Sequence, residues 1–218
     1  MDHRIIDQRL QFLRDKLLLL GGATENALHR SMQSLIERNS TLAEQVVRDD
    51  AMINQMELEI DRLSIEILAL QQPAAHDLRF VISVAKITPI LERIADHATS
   101  IARAAVELND EPEINVFGGF SEMAERATEM LQSALDVFTS NDAEKARELI
   151  ARDEEIDQIY EDLFNNLMET MSRDVTKSTR LARLLFVAKH LERIGDYVKD
   201  ICELTVYMKE AVLIKHQQ

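Results

Sequence analysis

Apolar residues recur at steps of three and four along most of the chain. Val84, Ile87, Leu91, Ile94, Ala98, Ile101, Ala105 and Leu108 form one run. Leu184, Val187, Leu191, Ile194, Val198, Ile201, Thr205 and Met208 form another. This period is the buried seam of a long helix packed at a shallow angle in a bundle. A third run reads Ile53, Met56, Ile60, Leu63, Ile67, Leu70, and a fourth Ala146, Leu149, Asp153, Ile156, Tyr160, Leu163, Leu167. Leu10, Leu13, Leu17 and Leu20 open a first helix, and Met123, Ala127, Met130, Ala134 and Val137 mark a further one. Six long helices are predicted. Gln71-Gln72-Pro73 ends one of them, because proline lacks the donor and clashes with the preceding turn. Ser40 and Asn141 are read as N-caps, and residues 109–119 as the linker. Gly21-Gly22 falls inside the first helix, where each glycine costs about 1 kcal/mol against alanine. The pair predicts a kink or the close approach of another backbone.

The chain repeats itself. Leu91-Glu92-Arg93-Ile94-Ala95-Asp96 matches Leu191-Glu192-Arg193-Ile194-Gly195-Asp196 at an offset of 100. Val84-Ala85-Lys86 matches Val187-Ala188-Lys189 at 103, and Asp50 and Asp153 also stand 103 apart. The first copy therefore reads as carrying three extra residues within Ile87 to Ile90. Short connections make neighbouring helices antiparallel. The expected fold is all-α, two tandem pseudo-symmetric three-helix bundles: residues 1–110, a linker over 111–119, and residues 120–218. One six-helix bundle is the less economical alternative.

Composition narrows the function. With 5 Gly and 3 Pro among 218 residues, turns are too scarce for an all-β fold. The single Cys202 excludes an intramolecular disulfide framework and cysteine-based zinc sites, and reads as a buried small residue. A net charge of −14 repels a phosphate backbone, so no nucleic-acid partner is expected. The start, Met1-Asp2-His3-Arg4, leads into no apolar run, so no targeting signal is expected. The apolar cluster Leu17 to Leu20 is far short of a membrane span. A soluble intracellular protein is the expectation, with contact to a membrane protein from the cytoplasmic side left open.

The candidate chemistry is carboxylate-rich. Glu192, Asp196 and Asp200 stand at i, i+4 and i+8, along one side of the last helix. Asp153 falls in the apolar seam of the partner helix, with Asp157 one turn on. Like charges at this spacing repel by about 0.2–0.5 kcal/mol per pair. A hard cation (Mg²⁺, Mn²⁺, Ca²⁺ or iron) reverses that sign. The first copy is thinner: it keeps Glu92, Asp96 and Asp50, has Ser100 for Asp200 and Asn54 for Asp157, and offers Glu57 in compensation. The second site is therefore expected to bind metal more tightly. The alternative is a salt-bridged surface, since Lys189, Arg193 and Lys199 can pair with Glu192, Asp196 and Asp200. His76, His97 and His190 lack the Glu-x-x-His spacing of a di-iron centre and read as surface or bundle-edge residues. Arg79, after Asp77-Leu78, reads as a helix cap in preference to a contact with a partner. No Gly-rich phosphate loop and no nucleophile–base set is apparent.

At these residues the sequence resembles the PhoU family of phosphate-signalling regulators. The resemblance rests on Gln72-Pro73-Ala74-Ala75-His76-Asp77-Leu78-Arg79, on Leu91 to Asp96, and on Val187 to Asp196. The longer spacing from Lys86 to Leu91 than from Lys189 to Leu191 also follows the family pattern. The resemblance implies two pseudo-symmetric three-helix bundles, a homodimer, and a cytoplasmic regulator rather than an enzyme. It implies association with a phosphate ABC transporter ATPase and a sensor histidine kinase, restraining uptake and the phosphate-starvation response. It implies metal (iron, zinc, Mg²⁺ or Mn²⁺) at Glu92, Asp96, Glu192 and Asp196, with Asp50, Asp153 and Asp157 on the partner helices. Pro89-Ile90, Ala95 and Asn54 depart from the family pattern, all in the first copy. Two other readings stand beside it: a metal-dependent phosphohydrolase using the same carboxylates, and a metal-free helical adaptor.

Overall fold

A computed structural model describes residues 2–114 and 118–214. The helices are α1 (Asp2–Ile36), α2 (Ser40–Gln71), α3 (Ala75–Asn109), α4 (Gly118–Ser140), α5 (Ala143–Ala151), α6 (Asp153–Arg173) and α7 (Ser178–Glu210), with a 3₁₀ turn at Val175–Lys177. Among the described residues there is no strand, and α5 and α6 form one broken rod, making six rods in all. The break corrects the single run expected from Ala146 to Leu167. At Arg152 the chain tightens: the amide of Arg152 reaches the carbonyl of Leu149, and that of Glu155 the carbonyl of Arg152. Asp153, Glu154 and Glu155 then sit in the first turn of α6, where acids complement the positive end of the helix dipole.

α1, α2 and α3 pack on one another, and α4, α5 and α6 pack with α7. The two groups meet where α3 lies along α7 and α1 along α4. α3 and α7 run antiparallel: Arg79 Nε donates to the Met208 carbonyl at one end, and Arg183 Nε meets Glu107 Oε2 at 2.7 Å near the other. Arg79 thus caps a helix, that of the other half. Arg14 joins α1 to α4 through the Thr139 carbonyl at 3.0 Å.

The buried seams correct the repeat alignment. Val81, Val84, Ile87, Leu91, Ile94, Ala98, Ile101, Ala105 and Leu108 are buried on α3, and the residues exactly 100 later are buried on α7. From Val81 to Leu108 one helix thus superposes on the other in sequence without interruption, and the three extra residues of the first copy fall before Val81, since α3 starts at Ala75 and α7 at Ser178. Val84-Ala85-Lys86 corresponds to Leu184-Leu185-Phe186, and the match at 103 is one helical turn out of step. Cys202 takes the buried place of Ala102, and burial pushes its thiol up to about 12.

Local punctuation is shifted by a residue or two. The cap of α2 is Asn39, not Ser40, because the Asn39 side chain accepts from the Leu42 amide. The cap of α5 is Asp142, not Asn141, and accepts from the Lys145 amide. Gln72 ends α2 with a left-handed φ of 47°, just before Pro73. α1 continues through Gly21-Gly22. A Cβ on Gly21 would lie 2.5 Å from Leu135 Cδ1 of α4, so the glycine admits a side chain rather than a backbone; Gly22 faces open space. The expected linker ends early, since Gly118 and Gly119 already belong to α4. Its residues 115–117 lie outside the described residues. Arg38 Nη2 holds the carbonyls of Asn109 and Glu111 at 2.7 and 2.6 Å, and Arg180 holds that of Pro112 at 2.6 Å.

Candidate functional site

Each half carries an acidic cluster between its second and third rods. The first is built by Glu92 and Asp96 on α3 and by Asp50 and Glu57 on α2. Asp50 Oδ1 accepts from Thr99 Oγ1 at 3.1 Å, and its Oδ2 from Asn54 Nδ2 at 3.4 Å. Burial pushes the Glu92 carboxyl above its ordinary value, and Asp96, Glu57 and Asp50 push it further, against the pull of Arg93. Asp96 is raised by burial and by Asp50, against Arg103. Among the described residues no ion pair reaches these four carboxylates. Asn54 Oδ1 beside them is buried without a hydrogen-bond partner.

The second cluster holds Glu192 and Asp196 on α7 and Asp153 and Asp157 on α6. Here cations are built in. Lys199 Nζ contacts Asp153 Oδ2 and lies 3.2 Å from Asp196 Oδ1. Lys189 Nζ lies 2.7 Å from Glu192 Oε2, and Arg193 approaches Asp196 Oδ2 at 3.8 Å. Asp153 is only 3% exposed. Burial raises its pKa, Lys199 draws it back, and Asp157 and Asp196 push it up again. Burial works against the Lys199 ammonium, but Asp153 and Asp196 outweigh it and hold the group protonated well above the ordinary lysine value. Gly195 makes the room: a Cβ there would lie 2.8 Å from Asp153 Oδ1 and 3.2 Å from Ile156 Cδ1. In the first half Ala95 is accommodated because Asp50 stays half-buried and turns to Thr99.

The two sets test the implied metal differently. The first offers only oxygens, mutually repelling and with an orphan amide oxygen alongside, which is the donor chemistry a hard cation takes. The second already places an ammonium between Asp153 and Asp196, so that pair does not fit a cation as arranged, although Glu192 Oε2 is also buried without a hydrogen-bond partner. Among the described residues no three His, Cys, Asp or Glu side chains are placed to hold a metal ion. Asp157 lies close enough to Asp153 to raise its pKa, whereas Asp200 faces α3, beside Lys86, Ile90 and Arg93, and not α6. Glu92, Asp96, Asp50 and Glu57 lie near one another, as do Asp153, Asp157 and Asp196, and the ion pairs of Lys189, Arg193 and Lys199 run as in the salt-bridge alternative.

Spacing missed one contact. His97 and His190, read as surface or edge residues, are half-buried and meet across the α3–α7 interface, Nδ1 to Nδ1 at 2.8 Å. His97 also stacks on Tyr197, with ring centroids 5.6 Å apart. Burial, then His190 and Arg193, push His97 down to about 4, and burial lowers His190. The two positions are not repeats of each other, so only the antiparallel pairing of α3 and α7 reveals them.

Known proteins match this architecture over nearly its whole length. The PhoU domain matches residues 17–105 and 120–205, once in each half. A phosphate-specific transport system accessory protein PhoU homolog of Clostridium acetobutylicum is 35% identical over 209 residues, 95% of each chain. The one from Pseudomonas aeruginosa is 36% identical over 222 residues, 99% of this chain and 91% of that one. The crystal structure of PhoU from Pseudomonas aeruginosa superposes with a TM-score of 0.91, covering 94% of this chain and 99% of that one at 35% identity. That of the phosphate transport system regulatory protein PhoU from Streptococcus pneumoniae gives 0.88, covering 96% and 99% at 30% identity. With a PhoU domain in each half, the full-length relatives and the shared helical fold, the chain belongs to the PhoU family.

Proposed function

We propose that the chain is a regulatory accessory protein of phosphate-specific transport, acting by binding rather than by catalysis. The observation that carries the reading is the PhoU domain in both halves, together with full-length relatives named as accessory proteins of that system. The partners are a phosphate ABC transporter ATPase and a sensor histidine kinase. Through them the chain restrains uptake and the starvation response when phosphate is plentiful. It works at the cytoplasmic face of the membrane, as a homodimer, and reaches the membrane through its partners. Among the described residues no helix is long and apolar enough to cross a membrane, which is compatible with that arrangement.

Metal enters through the first cluster. Glu92, Asp96, Asp50 and Glu57 would hold Mg²⁺, Mn²⁺ or iron through oxygen, and the cation would supply charge neutralisation of a face now strongly negative. This reverses the order expected from the sequence, in which the second cluster bound more tightly. Lys199 accounts for the reversal. The phosphohydrolase reading would need a group that grips phosphate, and the cations nearest the second cluster are engaged with its carboxylates.

Affinity capture of the tagged full chain from its own host, phosphate-replete against starved, tests the reading. Enrichment of a phosphate-transporter ATPase or a sensor kinase that changes with phosphate is the expected result. Capture of neither in either condition would overturn it.

A further inference from the structure

We propose that the ammonium of Lys199 is the resident cation between Asp153 and Asp196 in the second acidic cluster, and that it keeps a metal ion from that pair. The inference is independent of the partner the chain meets. Its base is the burial of Asp153. A carboxylate removed from water is costly unless paired and hydrogen-bonded. Asp153, 3% exposed, has Lys199 Nζ against Oδ2, and the same ammonium spans to Asp196 Oδ1 at 3.2 Å. An ammonium has three donors and can serve both oxygens at once. Gly195 is part of the same construction, since any side chain there would strike Asp153 Oδ1.

The other half gives the contrast. At the offset of 100, Lys199 corresponds to Thr99, Lys189 to Pro89, and Arg193 to Arg93. Two of the three cations that meet the second cluster are therefore absent from the first. Thr99 supplies Asp50 with a hydrogen bond but no charge. A divalent ion entering between Asp153 and Asp196 would have to evict Lys199 and leave its ammonium half-buried without a partner.

The test uses the full chain with Lys199→Met, Asp153→Asn and the double variant. In EDTA, K199M should melt about 5–10 °C below the wild type, because a buried charge has lost its partner. D153N on the same background should restore most of that loss, since it removes the orphaned charge. Mn²⁺ should raise the melting temperature of K199M, and equilibrium dialysis should find one more Mn²⁺ per chain than in the wild type. If K199M fails to fold, recovery of a cooperative melt in the double variant or on Mn²⁺ refolding supports the proposal, and recovery in neither contradicts it. An unchanged melt of K199M in EDTA, a double variant no better than K199M, or no extra Mn²⁺ bound would each overturn it.

Discussion

His97 and His190 face each other at 2.8 Å across the α3–α7 interface, and a contact that short between two Nδ1 atoms requires one ring to donate and the other to accept. The accepting ring is therefore neutral, and burial disfavours the charged form of both rings. Protonating both would place two positive charges in one half-buried contact, with Arg193 nearby adding to the repulsion on His97.

The pH dependence follows. His97 titrates at about 4 when folded and near 6.5 when unfolded, so between these values the unfolded chain binds more protons. Stability should fall as pH drops through that window, by about 2 kcal/mol after allowance for partial exposure. The raised carboxyls of Glu92, Asp96 and Asp153 act in the opposite direction, gaining protons in the folded state as pH falls. H97N should remove only the histidine contribution. Urea unfolding at pH 7.5 and 5.0 checks this, and equal pH slopes for wild type and H97N would contradict it.

Gly195 and Ala95 hold matched places but different neighbours. G195A should destabilise by about 1–3 kcal/mol, because the new Cβ meets Asp153 Oδ1 and Ile156 in a packed seam. A95G should cost about 1–2 kcal/mol, the helix-propensity difference plus the loss of a fully buried methyl. Thermal melts check both values, and a G195A variant that melts at or above the wild type would show that Gly195 is not making room for Asp153.

Much of this was legible in the sequence, and the failures have physical causes. The seams of α3 and α7 stood out because every third or fourth residue is apolar over nearly thirty positions, and a periodic signal of that length outweighs local accidents. The break at Arg152 was hidden because Leu149, Asp153 and Ile156 keep helical spacing across it, and only the three acids that follow mark a new start. The acidic clusters were found by spacing, but spacing gives a side and not a partner. Lys199 lies on the same side as Asp196, so pairing looked possible. That it turns to Asp153 on α6 depends on how α6 and α7 pack. The histidine pair needed the antiparallel register of α3 and α7, which no local pattern encodes.

The caps give a separate test of local structure. Replacing Asn39 or Asp142 by Ala should each cost about 1 kcal/mol, the same change at Ser40 less, and at Asn141 about as much for a different reason, its left-handed φ of 55°. Asn39 and Asp142 accept the third amide of their helices, whereas Ser40 accepts only from the Asn109 side chain and Asn141 has no such bond. Chemical denaturation of the four variants provides the comparison.

Gly21 and Gly22 should separate in the same way. G22A should stabilise by about 0.5–1 kcal/mol, since alanine favours the helix and the space is open. G21A should give no such gain, because Leu135 must shift to admit the Cβ. Melting curves of both variants decide it.

The central claim about the site is that two halves alike in fold differ in charge: among the described residues no ion pair reaches the first acidic cluster, whereas Lys199 pairs Asp153 and Asp196 in the second. Equilibrium Mn²⁺ binding to the full chain, compared across wild type, E92Q/D96N and E192Q/D196N, tests it most directly. The account predicts that E92Q/D96N abolishes Mn²⁺ binding and that E192Q/D196N leaves it unchanged. Loss of binding in E192Q/D196N with retention in E92Q/D96N would contradict it.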